Sequence, residues 1–426
     1  MTIGHIYRSL SLGGMQRGAG SILKIHHEMG HDLVVYTREP VDGSEYGVPV
    51  PFERVVLGGG SYKNRADEGR KDALRSALAA RRPDLVIHHE YYAMSLVDDL
   101  EILHEAGIPV LVQWHSCFSA LHMSVWWNGR VCSQLDAVKK YARGVLALSR
   151  TDRAFFEMFG MRSVYIPYSD PDIFEDVPVH VAGRGTEILW PSRFSIGKRP
   201  VHALRIFEAV LAKIPDAHLT MLGDGPERPA VDEYLAARPA LAQKVSLPGF
   251  VKDVVPYFRA ADVVLMTTEF EGFCHSIIEA KMAALPVVGY EMDYLDTAQP
   301  GTGYVSAPQG DVDAAAAHVC DLLADGAERR RQGVLGRRDY ERFLGIDQKA
   351  LYGEAFALAL GEVPVASRPP AEDPFAANAV RVLLRHVDAH WRDCKAMRAD
   401  AEARRRKSFG YRFFTKLARF FAEESK

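Results

Sequence analysis

No C-x-x-C pair occurs in this chain, and its five cysteines, Cys117, Cys132, Cys274, Cys320 and Cys394, are widely scattered. That distribution gives no zinc-ribbon spacing and no pattern for a disulfide framework; dispersed, reduced thiols suit a cytosolic protein. No stretch approaches 18 consecutive apolar residues, so no transmembrane helix is expected. The opening MTIGHIYRSLSLGG has no basic segment followed by a long apolar one, so no signal peptide is expected. Charge of one sign is also lacking: the formal net charge is −3, which argues against bulk nucleic-acid binding while allowing a local basic patch. The glycines at 13, 14, 18 and 20 do not make a G-x-G-x-x-G fingerprint, so a dinucleotide site has little support.

What is present is a long chain, 426 residues with 48% hydrophobic and 25% charged residues, enough for two domains of ordinary size. Apolar runs such as LVIHH, VLVQW and VLAL do not alternate with polar residues, which suits parallel strands covered on both faces. Strands are expected at 3–7, 32–37, 84–88, 109–114, 144–148 and 163–166, with helices at 15–29, 64–80, 92–106, 129–142 and 151–159. Residues 170–185, DPDIFEDVPVHVAGRG, carry no sustained period and read as a connection. The alternation then restarts, with strands at 187–190, 217–222, 245–247, 262–266 and 286–289 and helices at 199–213, 226–237, 253–260, 312–325 and 327–342. The fold class is therefore α/β. Two doubly wound, Rossmann-like domains, 1–169 and 186–340, should face each other across a cleft, followed by closing helices at 341–365 and a helical tail at 366–426.

One stretch, TTEFEGFCHSIIEAKMAALPVV at 267–288, joins an expected strand to an expected helix. Such junctions hold anionic ligands in α/β proteins, because free N–H groups and the helix dipole meet there. Glu271 falls at the mouth of the junction and Glu279 eight positions on, about two turns into the helix. Two carboxylates so placed could grip sugar or ribose hydroxyls beside a phosphate; an arbitrary pair of glutamates would more often be solvated surface charge. Near the N-terminus, Gly13 and Gly14 permit either close approach of backbone to a ligand or simply a tight turn.

The C-terminal segment has a different character. Leu384, Val387, Trp391 and Cys394 recur at spacings of three and four, an amphipathic pattern suited to docking or to self-association through 380–398. Residues 404–426 carry eight Lys/Arg against two Glu, a formal +6, with Phe413, Phe414, Leu417, Phe420 and Phe421 on one helical face. Two readings stay open for this tail: an amphipathic anchor on the cytoplasmic face of a membrane, or a helix that packs its Phe face on the protein.

Taken in order, the motifs resemble those of retaining glycosyltransferases of the GT-B fold, the large family 4 group. The resemblance is carried by the Gly-Gly loop, His115 after VLVQW, LALS…IPYSDPDIF, SRFSIGKRP, LTMLGDGPERP and the run from LPGFVKDVV through EGFCHSIIEAKM. It covers roughly residues 1–360 and is strongest over 187–290. The resemblance implies transfer of a sugar from a nucleotide sugar, with UDP the commonest carrier, to a glycan or lipid-linked acceptor in cell-surface synthesis. It implies that no metal and no cofactor are needed; no Asp-x-Asp metal motif stands at a strand end.

Carried over by position, Arg193 and Lys198 would clamp the diphosphate, offsetting the charge that builds on the leaving group. Glu279 would hold the ribose, Glu271 the donor sugar near its reaction centre, and Gly272, Phe273 and Cys274 would face sugar and phosphates. His115 would sit near the transferred sugar, and Gly13 and Gly14 against the diphosphate from the other domain. Three departures bear on substrate identity: Cys274 stands where the family has glycine, Gln16 where it has an acid, and Tyr168 where it has asparagine. A GT-B nucleotide-sugar epimerase and a non-catalytic sugar-nucleotide-binding scaffold are the rival readings.

Overall fold

The computed structural model describes residues 1–10, 14–40, 48–59, 65–89, 92–118, 131–168, 185–362 and 375–381. Gly13, the tail at 404–426 and nearly all of 380–398 therefore lie outside the described residues. The first half contains β1 (Thr2–Tyr7), α1 (Gly14–Glu28), β2 (Asp32–Thr37), β3 (Glu53–Val56), α2 (Glu68–Ala80) and β4 (Leu85–His88). It continues with α3 (Ser95–Glu105), β5 (Val110–Trp114), α4 (Val131–Tyr141), β6 (Gly144–Ala147), α5 (Arg150–Met158) and β7 (Ser163–Tyr165). These strands form one sheet in the order β3-β2-β1-β4-β5-β6-β7, with every pairing parallel.

The second half begins with β8 (Glu187–Pro191), α6 (Pro200–Leu211), β9 (His218–Leu222), α7 (Arg228–Ala236), α8 (Pro239–Ala242), β10 (Val245–Gly249) and α9 (Val255–Ala260). Then come β11 (Val263–Met266), α10 (His275–Met282), β12 (Val287–Tyr290), β13 (Tyr304–Ala307), α11 (Val312–Ala324), α12 (Gly326–Leu344) and α13 (Gln348–Leu360). Its sheet runs β10-β9-β8-β11-β12-β13, again parallel throughout. Strand order reverses beside the first strand of each sheet, which puts a crevice at the carboxyl ends of the strands. Central strands such as β4, β5, β11 and β12 are buried along their whole length, as continuous apolar runs require.

Two strands escaped the sequence pattern, and both are edges. β3 is half exposed and β13 is only partly covered, so neither carries the unbroken apolar run that marks a central strand. The helix expected at 64–80 begins at Glu68, because the Asp67 carboxylate accepts the Arg70 N–H at 2.9 Å and fixes the cap there. The closing helices expected from 341 begin later, because α12 runs on to Leu344; the break comes at 345–347, where Asp347 caps α13 by accepting from Ala350 N–H.

α13 returns to the first half. Gln348 donates to the Pro167 carbonyl at 2.9 Å, Lys349 pairs with Glu28 at 3.0 Å, and Tyr352 and Phe356 pack edge-on against His26. One apolar cluster accordingly runs through both halves, from Ile3 and Leu146 to Phe273 and Phe356, beside a separate cluster within each. Among the described residues no helix is long and apolar enough to cross a membrane.

α10 is locked to α12 by an ion pair. Lys281 Nζ lies 2.6 Å from Asp339 Oδ2, with the Lys281 side chain fully buried. Burial pulls the Lys281 ammonium down to about 8 even though the Asp339 charge opposes it. Removing one partner strands a buried charge, at a cost of about 3–5 kcal/mol. Lys281→Ala and Asp339→Ala are each expected to show that loss in urea unfolding, with the double variant well short of their sum; losses near zero would show that the pair does not hold α10.

Candidate functional site

The chain leaves β8 through Ser192 and Arg193, passes a tight turn at Ile196–Lys198 and enters α6 at Pro200. Two glycines of the facing GDGP turn make this path possible. Gly223 and Gly225 both have positive φ, and a Cβ on either would strike the Ser192 or Phe194 carbonyl. Thr267, just beyond β11, binds the turn in place: its hydroxyl accepts from Trp190 Nε1 at 2.8 Å and donates to the Lys198 carbonyl at 2.8 Å. Glu269 N–H also donates to the Gly197 carbonyl at 2.8 Å. The turn carrying Lys198 and the loop carrying Glu271 are therefore one fixed unit.

Within it, Lys198 Nζ donates to Glu271 Oε1, joining residues 73 positions apart. Burial opposes the Lys198 charge, but the charge and hydrogen bond of Glu271 outweigh it and raise the ammonium above its ordinary value. Tyr294, which sequence reasoning missed, brackets the Glu271 backbone: its hydroxyl accepts the Glu271 N–H at 2.7 Å and donates to the Glu271 carbonyl at 2.9 Å. Nothing local in DYLD marks that tyrosine, because the contact spans 23 residues.

Gly272 comes next, and the two halves touch here. A Cβ at Gly272 would overlap the His115 carbonyl of the loop after β5. Phe273 is buried, its carbonyl accepting from the Thr297 hydroxyl at 2.7 Å. Cys274 precedes α10 with φ 67° and ψ 80°, a left-handed conformation that costs a non-glycine residue about 1–3 kcal/mol. The departure from glycine noted in the sequence thus sits where glycine would be unstrained. Its thiol is pushed well up by burial and then by the Glu271 charge, so it stays a neutral, bulky group.

Among the remaining expected site residues, Glu279 is 4% exposed on α10, beneath the loop. Arg193 is exposed and makes no ion pair with a described residue. Gly14 opens α1 in the first half, whereas Gly13 is outside the described residues. His115 reaches the cleft, but both its ring nitrogens are engaged: Nε2 with His89 Nδ1 at 2.9 Å, and Nδ1 with the Tyr168 hydroxyl. Burial, with a lesser contribution from His275, holds it at about 3, so the ring is neutral. Tyr168 itself packs against Phe273 and His275 of the other half.

Residues 185–325 match a family model described as glycosyl transferases group 1, and residues 13–168 match one described as a glycosyl transferase 4-like domain. The chain is 23% identical over 365 residues to the sulfoquinovosyl transferase of Arabidopsis thaliana, covering 78% of this chain and 68% of that protein. It is 27% identical over 160 residues to a lipopolysaccharide core biosynthesis glycosyltransferase of Rhizobium meliloti, covering 37% of this chain and 46% of that protein. A structure of S. aureus TarM in complex with fondaparinux, α-GlcNAc-glycerol and UDP superposes with a TM-score of 0.67 at 11% identity, covering 84% of this chain and 99% of that one.

If Lys198 and Glu271 form the pair described, their single and double alanine variants should be coupled by about 0.5–3 kcal/mol in unfolding free energy. Additivity in urea titrations would show that the two side chains do not meet.

Proposed function

Because the chain belongs to the group 1 glycosyltransferases, we propose that it moves a sugar, with retention of configuration, from a UDP-sugar to a hydroxyl of a glycan or lipid-linked acceptor in cell-surface synthesis. The observation that carries this reading is the Lys198–Glu271 unit pressed against the first half at Gly272. It brings a cation, a carboxylate and the start of α10 to the mouth of the crevice.

An incoming diphosphate exchanges Glu271 for a doubly charged partner on Lys198, while exposed Arg193 closes on it from the neighbouring turn. Release of Glu271 turns its carboxylate toward the donor sugar's hydroxyls, and Glu279 takes the ribose. As the bond from the anomeric carbon to phosphate breaks, its electron pair goes to the leaving diphosphate, where Lys198 and Arg193 neutralise it. The acceptor oxygen bonds to the same face of the anomeric carbon, and its proton passes to the departing phosphate oxygen. Every charge in that sequence is met by a side chain, so the reaction runs without a metal. Cys274 narrows the space beside the sugar. UDP is supported by the TarM complex, and a cell-surface acceptor by the core-biosynthesis relative.

The tail at 404–426 fits a surface that carries such acceptors, since its sequence joins eight Lys/Arg with five aromatic or leucine side chains, Phe413, Phe414, Leu417, Phe420 and Phe421, a composition that adsorbs to anionic lipid. Deleting it should abolish sedimentation with phosphatidylglycerol vesicles while leaving turnover on a soluble acceptor intact; undiminished binding would exclude the tail as anchor.

In a thermal-shift panel of UDP-, GDP- and ADP-sugars, only a UDP-sugar is expected to stabilise, by about 2.7 kcal/mol at one hundred times its Kd. With that donor in EDTA, Lys198→Ala should lower turnover at least about 100-fold. A response to none of the donors would overturn the nucleotide-sugar reading altogether, binding of a donor without turnover would leave the scaffold reading, and loss of activity in EDTA would overturn the metal-free mechanism.

A further inference from the structure

Cys274 is not the only strained residue of the site. Arg199 follows Lys198 and caps α6 with φ 50° and ψ 57°, a left-handed backbone that disfavours any residue with a side chain. What its guanidinium reaches explains an arginine there. Nη2 pairs with Glu269 Oε1 at 3.1 Å, and Nη1 donates to Gln309 Oε1 at 3.1 Å. Gln309 in turn donates through Nε2 to the Glu291 carbonyl at 3.0 Å and the Glu269 carbonyl at 3.2 Å. The orientation of that amide follows from its neighbours. A guanidinium only donates and a carbonyl only accepts, so the Gln309 oxygen faces Arg199 and its nitrogen faces the chain. Glu269, Glu291 and Gln309 lie just beyond β11, β12 and β13. The side chain at the head of α6 thus ties together the loops leaving three strands of the second sheet.

One of those loops carries Glu271. Its backbone is held by Glu269 N–H on the Gly197 carbonyl at 2.8 Å and by the Tyr294 hydroxyl at Glu271. Its side-chain tie is the bond from Lys198 to the Glu271 carboxylate. In glycosyl transfer that tie is temporary. A diphosphate takes the Lys198 ammonium, and Glu271 loses its partner when its carboxylate has to be aimed at the sugar.

Resting on the glycosyl-transfer reading, we propose that Arg199 is a positioning residue for Glu271. Acting through Glu269 and Gln309, it keeps the 267–271 loop in place once a donor diphosphate has displaced Glu271 from Lys198. Two cations adjacent in sequence then hold one loop in successive states. Lys198 holds it by the Glu271 carboxylate before the donor enters, and Arg199 holds it by Glu269 and the loop carbonyls afterwards. The strain at Arg199 persists because the guanidinium has to start from the residue after Lys198 to reach both partners.

Amide hydrogen exchange and kinetics on the intact chain test this. Lys198→Ala removes the side-chain tie as a bound diphosphate does, and the amides of 267–271 should keep their protection in it. Adding Arg199→Asn, a residue that tolerates the left-handed backbone, should speed their exchange at least about tenfold. Glu269→Ala in the same background, which leaves the turn at Arg199 unaltered, should do likewise. Protection lost in Lys198→Ala alone, or equal exchange in the single and double variants, overturns the proposal. As the only substitution, Arg199→Asn should lower kcat for transfer about tenfold, the scale of one lost charge-assisted hydrogen bond, with the donor KM within about twofold. An unchanged kcat overturns it, and so does a rise in KM alone, which marks a direct phosphate ligand. Protein that transfers no sugar from any nucleotide donor yet shows the exchange pattern overturns the glycosyl-transfer reading and leaves the Arg199 tie standing.

Discussion

The geometry of the site depends on one close approach, the backbone of Gly272 against the carbonyl of His115. No side chain fits between the two loops, so the carboxyl ends of the two sheets meet backbone to backbone. This contact sets how far Glu271 stands from the first half and how deep His115 lies. It also forces the chain to turn sharply before α10. That turn is taken at Cys274 in a left-handed conformation, strain that persists because the surroundings over-determine it. Tyr294 and Thr297 hold the backbone on either side.

Two separate halves could not hold such a contact to atomic tolerance without a second attachment. α13 supplies it. Having left the second half through α12, the chain crosses back and packs on the first sheet, where Leu358 lies over Gly144 and Tyr352 lies over His26. The segment at 375–381 adds a third tie: Asn378 donates to the Thr151 hydroxyl at 3.1 Å and to the Asp293 carbonyl at 3.0 Å, one from each half. The apolar cluster shared by both halves is the energetic consequence, since its burial is lost only if the halves part.

Legibility in the sequence followed burial. Strands covered on both faces announced themselves as apolar runs, and the junction at 267–288 was recognisable because a strand, two glutamates and a helix lie within one segment. Edge strands β3 and β13 were not legible, for a half-solvated strand needs no such run. Nor were contacts between distant segments. Nothing around Lys198 shows that Glu271 binds it, nothing in DYLD shows a bracket for the Glu271 backbone, and nothing local shows that His26, His5, His89 and His115 hydrogen-bond in series. Cys274 was visible as an oddity, but its meaning required the backbone angle: a side chain on a position shaped for glycine.

The two faces of the crevice differ in electrostatic kind, and that difference follows from burial. On the second half, Lys198 keeps its charge because Glu271 neutralises it, and Arg193 stands exposed to water beside it. On the first half, the titratable side chain at the contact is the His115 imidazole, which burial holds neutral. A neutral donor is a poor partner for a diphosphate but a good one for a hydroxyl, whose recognition turns on hydrogen-bond direction and not on charge. A cation aimed at a hydroxyl would pay desolvation for little gain, whereas a neutral imidazole adds no buried charge. Charge at the contact on one half and a neutral ring on the other is thus what their cores allow.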